Sequence, residues 1–479
     1  MARKIFIGFY LATNSVDVQW YRPLSFGYLS SYLEKHCIYP FEMKFMTSMD
    51  QVDQCDIVCV SSTSQNFQRA IEIARISKNR HPVVVTILGG QHITYMPETL
   101  PPEFDLGVIG EGERTLCEVI NALAANGLRC GASMLSTING LVYHDQESCT
   151  ITARRALIEP LDSVPFPHRS HETAPYLFTS RGCPYRCSFC SSSAFWDKTR
   201  FFSAEYVVEE ISEILMNYPG ITCISVWDDL FLADRSRFGK IVELIEQKGI
   251  NKQVGFSFSV RANLVTDEVC NALKRMNVVA VAFGAESGSD RILKILGKET
   301  TTDINQAAID TMHRHGISTQ CSFIVGSPTE TEAEVRSTYE FILRNVSCGK
   351  ISARCPVNIL MPIPGTPMWD YAVKAGIVQL ESFDWQRLAM FASYQDSAEQ
   401  DLDAWIKLRQ LNGSLYLAED TLPQERLYEL IKIYDPAIRA FESSVAYDVH
   451  GKHLIKPILA RLSVYIDRLA EKVRGYMHD

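Results

Sequence analysis

Short apolar runs alternate along this chain with longer segments whose apolar residues recur every third or fourth position, and the alternation occurs twice. In the first block the runs at 4–8, 42–46, 56–61, 83–88 and 106–109 predict strands, and the periodic segments 26–36, 67–78 and 113–125 predict helices. Strand and helix taking turns implies a parallel sheet with helices on both faces. Residues 126–170 break the pattern. They hold turn residues, a candidate hairpin (140–144 with 150–153), and then Pro160, Pro165 and Pro167, which favour an extended connector. The alternation resumes at Ala174 for six units, with strands predicted at 176–179, 223–227, 254–260, 278–283, 319–325 and 353–360. The last stretch is helical, with apolar stripes at Leu427, Leu430, Ile431 and Ile433 and at Leu459, Leu462, Ile466 and Leu469. Such stripes are usually core packing.

The expected fold class is therefore α/β: a doubly wound, Rossmann-like domain over 1–150, a linker over 151–173, a partial six-unit barrel over 174–367, and a helical domain over 368–479. Parallel sheets bind ligands beyond the carboxyl ends of their strands. The residues found there are polar or small. In the first block they are Ser61, Ser62 and Thr63, then Gly89, Gly90 and His92, then Gly110, Glu111, Gly112 and Glu113. In the second they are Asp228 and Asp229, Arg261, Glu286 and Ser287 in a Gly-Ala-Glu-Ser-Gly-Ser run, and Gly326. After the first barrel strand comes Cys183-x3-Cys187-x2-Cys190. Thiolates suit zinc or iron–sulfur clusters. Closed structural zinc takes four ligands, whereas the next cysteine, Cys223, lies in a separate apolar run. Three thiolates on a four-iron cluster leave one iron open for another ligand.

Size and charge narrow the possibilities. At 479 residues the chain exceeds a single ordinary core. A formal net charge of −9 argues against general nucleic-acid binding. No apolar run reaches the ~18–20 residues of a bilayer span, and the N-terminus reads as a first strand with no cleavage site. Fourteen scattered cysteines fit a reducing cytoplasm better than a secreted disulfide framework.

The cysteine spacing, with Phe189 before the third cysteine, resembles the signature of radical S-adenosylmethionine (SAM) enzymes. The resemblance implies a 4Fe-4S cluster on Cys183, Cys187 and Cys190 whose free iron chelates SAM. It places Asp228 and Asp229 at the methionine amino group, Glu286 and Ser287 at the ribose, Gly326 near adenine, and Arg261 at the SAM carboxylate. The N-terminal order of strand, Gly-Gly, His and Gly-Glu-Gly-Glu is similar to the cobalamin-binding domain that precedes the radical core in one large subfamily. That implies cobalamin held by Ser61–Thr63, Gly89, Gly90, His92 and Gly110–Glu113. The Asp-x-His-x-x-Gly segment that supplies a lower histidine ligand in methionine-synthase-type domains is missing, so the lower face is expected to lack a protein histidine. The expected reaction is methylation of an unactivated carbon of a small molecule, one SAM supplying the methyl group and a second the 5′-deoxyadenosyl radical. Cyclisation, rearrangement or carbon–carbon coupling on the same architecture is the alternative, and a cobalamin- or metal-binding regulatory module without turnover is the alternative of another class. A flavodoxin or ferredoxin is the implied reductant.

Overall fold

The computed structural model describes residues 3–13, 23–145, 148–170, 175–352, 355–385, 387–388 and 415–442. The stripe at Leu459, Leu462, Ile466 and Leu469 lies outside them. In the first block β1 (Ile5–Leu11), β2 (Phe41–Phe45), β3 (Ile57–Ser61), β4 (Val85–Gly89) and β5 (Leu106–Val108) are parallel, and β6 (Leu141–Asp145) and β7 (Ser148–Ile151) add an antiparallel hairpin. The order is β2-β1-β3-β4-β5-β6-β7. Alternating side chains serve two cores. Ile7, Ile57, Ile87 and Leu106 pack with the helices Leu24–His36 and Gly112–Ala125, while Val58, Val60 and Leu88 pack with Phe67–Arg80. The chain leaves β1 to one side for β2 and returns on the other for β3, so strand order reverses between β1 and β3. A crevice opens at such a reversal.

The hairpin expected within the connecting region extends this sheet instead, with Val108 paired to Leu141. The described part of the connector, residues 151–170, runs extended except for one helical turn at Leu161–Ser163, and it is not free. Ile158, Leu161 and Val164 are buried in the barrel core, and the Tyr206 hydroxyl donates to the Val164 carbonyl at 3.1 Å. Apolar residues before and between the prolines make it a strap.

The second sheet is six parallel strands laid side by side in chain order and left unclosed. These are β8 (Tyr176–Leu177), β11 (Cys223–Val226), β12 (Gly255–Ser259), β13 (Val278–Glu286), β14 (Ser318–Val325) and β15 (Val357–Ile359). Between β8 and β11 a short antiparallel ribbon forms from β9 (Ser180–Arg181) and β10 (Arg200–Phe201). The cysteine loop hangs between its two strands. Ser203 caps the next helix, its hydroxyl accepting from the Tyr206 amide at 3.1 Å, as its N-cap position predicts. Helix Gln424–Glu442 packs on Glu332–Ser347, where Tyr434 stacks on Tyr339 at 4.6 Å and Arg426 pairs with Glu332. No helix among the described residues is long and apolar enough to cross a membrane.

Candidate active site

The cysteine loop starts at Gly182, whose φ of 93° and whose closeness to Trp196 and the Lys198 carbonyl (2.9 Å from an added Cβ) exclude a side chain. Its far end is pinned by the Ser188 amide donating to Leu296 (2.9 Å) and the Met368 amide donating to Ser188 (3.1 Å). Cys183, Cys187 and Cys190 are all free thiols. Burial pushes the Cys190 thiol up to about 11, with the Asp229, Cys187 and Cys183 charges adding to the shift. No three His, Cys, Asp or Glu side chains among the described residues gather closely enough to hold a single metal ion. A cubane spreads its thiolates over different irons, so the relevant test is the donor set. Three thiols on one pinned loop, with a guanidinium beside the middle one, fit it.

That guanidinium is Arg261. Its Nη1 lies 3.3 Å from Cys187 Sγ, its plane sits 3.5 Å over the Tyr185 ring, and Nη2 donates to the Lys298 carbonyl. Two of its donors are thus turned to the cysteine loop and its support rather than to a SAM carboxylate. Asp228 also departs from expectation. It is buried and accepts from the Thr179 amide and hydroxyl and from the Ser180 amide (3.2 Å) and hydroxyl (2.7 Å). Its acceptor positions are consumed bracing the end of β8, which leaves none for an ammonium group. Asp229 alone faces inward, accepting from the Ser192 hydroxyl at 2.6 Å, its carboxyl raised by burial.

Glu286 holds a left-handed φ of 62°, a costly conformation for a non-glycine residue that concentrates at functional sites. It is ion-paired at 2.7 Å with Lys298, whose Nζ lies 5.8 Å from the Phe189 ring. Lys298 carries no signal in the sequence. Ser287 is a brace: it is buried, lies 3.2 Å from the Thr338 hydroxyl and accepts from the Ser289 amide. Gly326, at φ 79°, lets the Tyr416 ring approach to 2.7 Å of where a Cβ would stand.

A cavity of about 330 Å³ joins the two sheets. From the first sheet come Phe9, Cys59, Ser61, Gly89, Gly90 and the Gly110–Glu113 turn; from the barrel come Phe178, Ser180, Arg181, Trp227 and Asp229, with Phe195 and Trp196 of the cysteine loop. It opens at the β1/β3 reversal. A Cβ on Gly110 would meet nothing within 4 Å, and one on Gly89 only the Val60 carbonyl at 4.0 Å, so bare backbone faces open space there. That cradle lets a flat ligand face lie against the strand ends. His92 does not belong to it. The imidazole is fully buried, stacked 3.6 Å from Phe67 and held by the Ser64 and Thr99 hydroxyls at 3.0 Å, and burial drives its pKa down to about 3. Ser62 and Thr63 are not among the lining residues either, because the chain turns back there: the Ser62 hydroxyl donates to the Thr63 carbonyl and the His92 amide to the Ser62 carbonyl. Glu111 and Glu113 reach the wall with their carboxylates already taken by Arg181 and Arg200. Arg181 and Arg200 carried no signal in the sequence, and Trp227 stood there only as the end of the predicted strand at 223–227.

Protein given hydroxocobalamin is expected to retain about one equivalent through gel filtration, with no axial-nitrogen splitting in the EPR spectrum of its cob(II) form. His92→Ala will leave both unchanged, whereas Gly110→Val, which puts a branched side chain into the open space at a positive φ, will lose retention. Splitting that vanishes in His92→Ala would contradict the buried placement.

The Radical SAM superfamily pattern matches residues 177–342 and the B12 binding domain pattern residues 44–120. An uncharacterized methyltransferase of Pyrococcus horikoshii is 33% identical over 349 residues, covering 69% of this chain and 72% of the relative. The anaerobic magnesium-protoporphyrin IX monomethyl ester cyclase of Rubrivivax gelatinosus is 27% identical over 300 residues, 60% of this chain and 53% of the relative, so the chain spans about half that protein's length. Among solved structures, the cobalamin-dependent SAM radical enzyme OxsB with aqua-cobalamin bound superposes with a TM-score of 0.69 at 18% identity, covering 97% of this chain and 75% of that one. The radical SAM methyltransferase TsrM of Kitasatospora setae, with cobalamin and cluster bound, gives 0.65 at 17% identity, covering 79% of each. At these identities the two structures share the fold.

Proposed function

The chain belongs to the radical SAM superfamily, in the branch with a B12 binding domain ahead of the core, and from this we propose that it methylates an unactivated carbon of a small molecule. The observation that carries the reading is the shared cavity, in which the glycine turns of the first sheet face the residues flanking the cysteine loop. When bound, cluster and SAM supply the 5′-deoxyadenosyl radical, and cobalamin supplies a transferable methyl group. A carbon without acidity gives no carbanion, so a hydrogen atom rather than a proton must leave it.

The chain's own residues position and shield. Cys183, Cys187 and Cys190 hold the cluster, and Arg261 sets a positive charge against Cys187. Asp229 and the Glu286–Lys298 pair offer polar contacts to SAM, while Gly326 gives the Tyr416 ring its close approach to the end of β14. Gly89 and Gly110 give cobalamin its backbone approach. Phe178, Phe195, Trp196 and Trp227 make the wall apolar, which excludes water and suits an apolar part of the substrate. All fourteen cysteines are free of disulfides, in keeping with a reducing cytoplasm, where flavodoxin or ferredoxin would deliver the electron.

The test is anaerobic turnover with methyl-labelled SAM and candidate small molecules, read by mass spectrometry. Methyl transfer uses two SAM per product: one loses its methyl group and leaves as S-adenosylhomocysteine. The other takes one electron and splits to methionine and the radical, which becomes 5′-deoxyadenosine on taking a substrate hydrogen. Both nucleosides should form in about equal amounts, with label in the product. Product formed with 5′-deoxyadenosine but neither S-adenosylhomocysteine nor label would favour ring formation, the chemistry named in the Rubrivivax relative.

A further inference from the structure

Four charged side chains cross between the two sheets out of water. Arg181, two residues before Cys183, donates from Nη1 to Glu111 Oε1 at 2.5 Å and from Nη2 to Glu113 Oε1 at 2.6 Å. Arg200, its partner across the ribbon, grips the other side of Glu111 at 2.9 and 3.0 Å and donates to the Ile158 carbonyl at 2.8 Å. The Ile158 amide returns a bond to Glu111 Oε2 at 2.8 Å. The four side chains are 10% exposed or less, and the two positive charges balance the two negative ones. The Arg181 guanidinium also lies 5.4 Å from the Tyr28 ring, on a helix of the first sheet.

The network is not generic packing. Both glutamates belong to the turn that opens onto the cavity from the first sheet, and both arginines belong to the ribbon from whose ends the cysteine loop hangs. Buried ion pairs of this kind add little net stability compared with an apolar contact of the same size, but they fix geometry through directional, bidentate bonds. Burial alone would raise the Glu111 carboxyl, yet the Arg181 and Arg200 charges hold it below its ordinary value.

We propose that Arg181 is a positioning residue for methyl transfer: through Glu111 and Glu113 it locks the cobalamin-side turn to the cluster-bearing ribbon and sets the separation of the two cofactors. This rests on the proposed function, since it presumes that both cofactors bind. Arg181→Lys keeps the charge but loses the fork that spans two carboxylates, and Glu113→Gln removes one arm. Both variants would be reconstituted with cluster and hydroxocobalamin and given SAM and reductant without substrate. Iron content and 5′-deoxyadenosine release, which need only the cluster and SAM, should stay at wild-type levels, and the readouts that follow are compared at matched cobalamin loading. The single-turnover rate of S-adenosylhomocysteine formation, limited without substrate to one per cobalamin, should fall by about a hundredfold, the effect of a ~1 Å misplacement. The enhancement of cob(II) spin relaxation by the reduced cluster should change measurably with the altered separation, a readout of distance that a change in stability alone does not move. An unchanged rate and unchanged relaxation in both variants, with cofactors loaded, would overturn the positioning role. So would failure of both variants to fold, which would assign the network to stability only. Wild-type protein that retains no cobalamin would instead overturn the function proposed above, and this role with it.

Discussion

Replacing any one of Cys183, Cys187 or Cys190 with Ala will abolish iron uptake and reductive cleavage of SAM together. Wild-type protein reconstituted without oxygen should carry about four irons per chain and show broad sulfur-to-iron absorption. Each cysteine is expected to hold a separate iron, so two thiolates cannot keep the cubane with one iron open to SAM. The remaining eleven cysteines offer no rescue of the loop. Cys59, Cys270 and Cys321, for example, are buried in the cores, where burial pushes their thiols up. The fold should survive the change, because the loop is held from outside by Leu296, Met368 and the ribbon. Iron analysis, absorbance and quantification of 5′-deoxyadenosine settle the point. Stoichiometric zinc with no iron in wild-type protein would sink it.

Asp228→Asn will cost about 3 kcal/mol of stability or more, and iron will be lost as a consequence. The buried carboxylate accepts four hydrogen bonds from Thr179 and Ser180, and a hydrogen bond to a buried charged group is worth roughly 1.5–3 kcal/mol. An amide has a single accepting oxygen, and its NH2 would point at the donors that the second carboxylate oxygen now serves. Thr179 and Ser180 lead into the ribbon, so the disturbance passes directly to the cysteine loop. Asp229→Asn, with one side-chain partner in Ser192 and a place on the cavity wall, will affect SAM affinity more than stability. Chemical unfolding of the apo-proteins, read beside SAM binding by the loaded ones, separates the two. Asp228→Asn with wild-type stability and weakened SAM binding would return Asp228 to the methionine-binding role that its position implies.

The two neighbouring aspartates show how far a linear reading reaches. A pair after the second barrel strand locates both at the carboxyl end, which is correct. Which one faces the cavity depends on strand pleat and on what β8 brings alongside, and neither is written near residue 228. His92 teaches the same lesson from the other direction. A histidine after a glycine pair looks available, but the helical turn Gln91–Tyr95 carries it inward under Phe67. The connector at 151–173 was legible as extended from its prolines. Its anchoring was not, because Ile158, Leu161 and Val164 gain burial only once the barrel helices are in place.

Sequence alone determined what depends on local spacing. Apolar periodicity set two alternating α/β blocks, the cysteine triplet set the metal chemistry, and glycines marked where backbone must stay bare. These follow from near-neighbour sterics and from the reach of one short loop. Only the tertiary structure decided how those parts face one another. Glu111 and Arg181 lie seventy residues apart, and Asp228 and Thr179 nearly fifty. Both pairs form because charge and hydrogen-bonding groups buried by folding must find partners, and which partners they find is set by the packing of one sheet against the other.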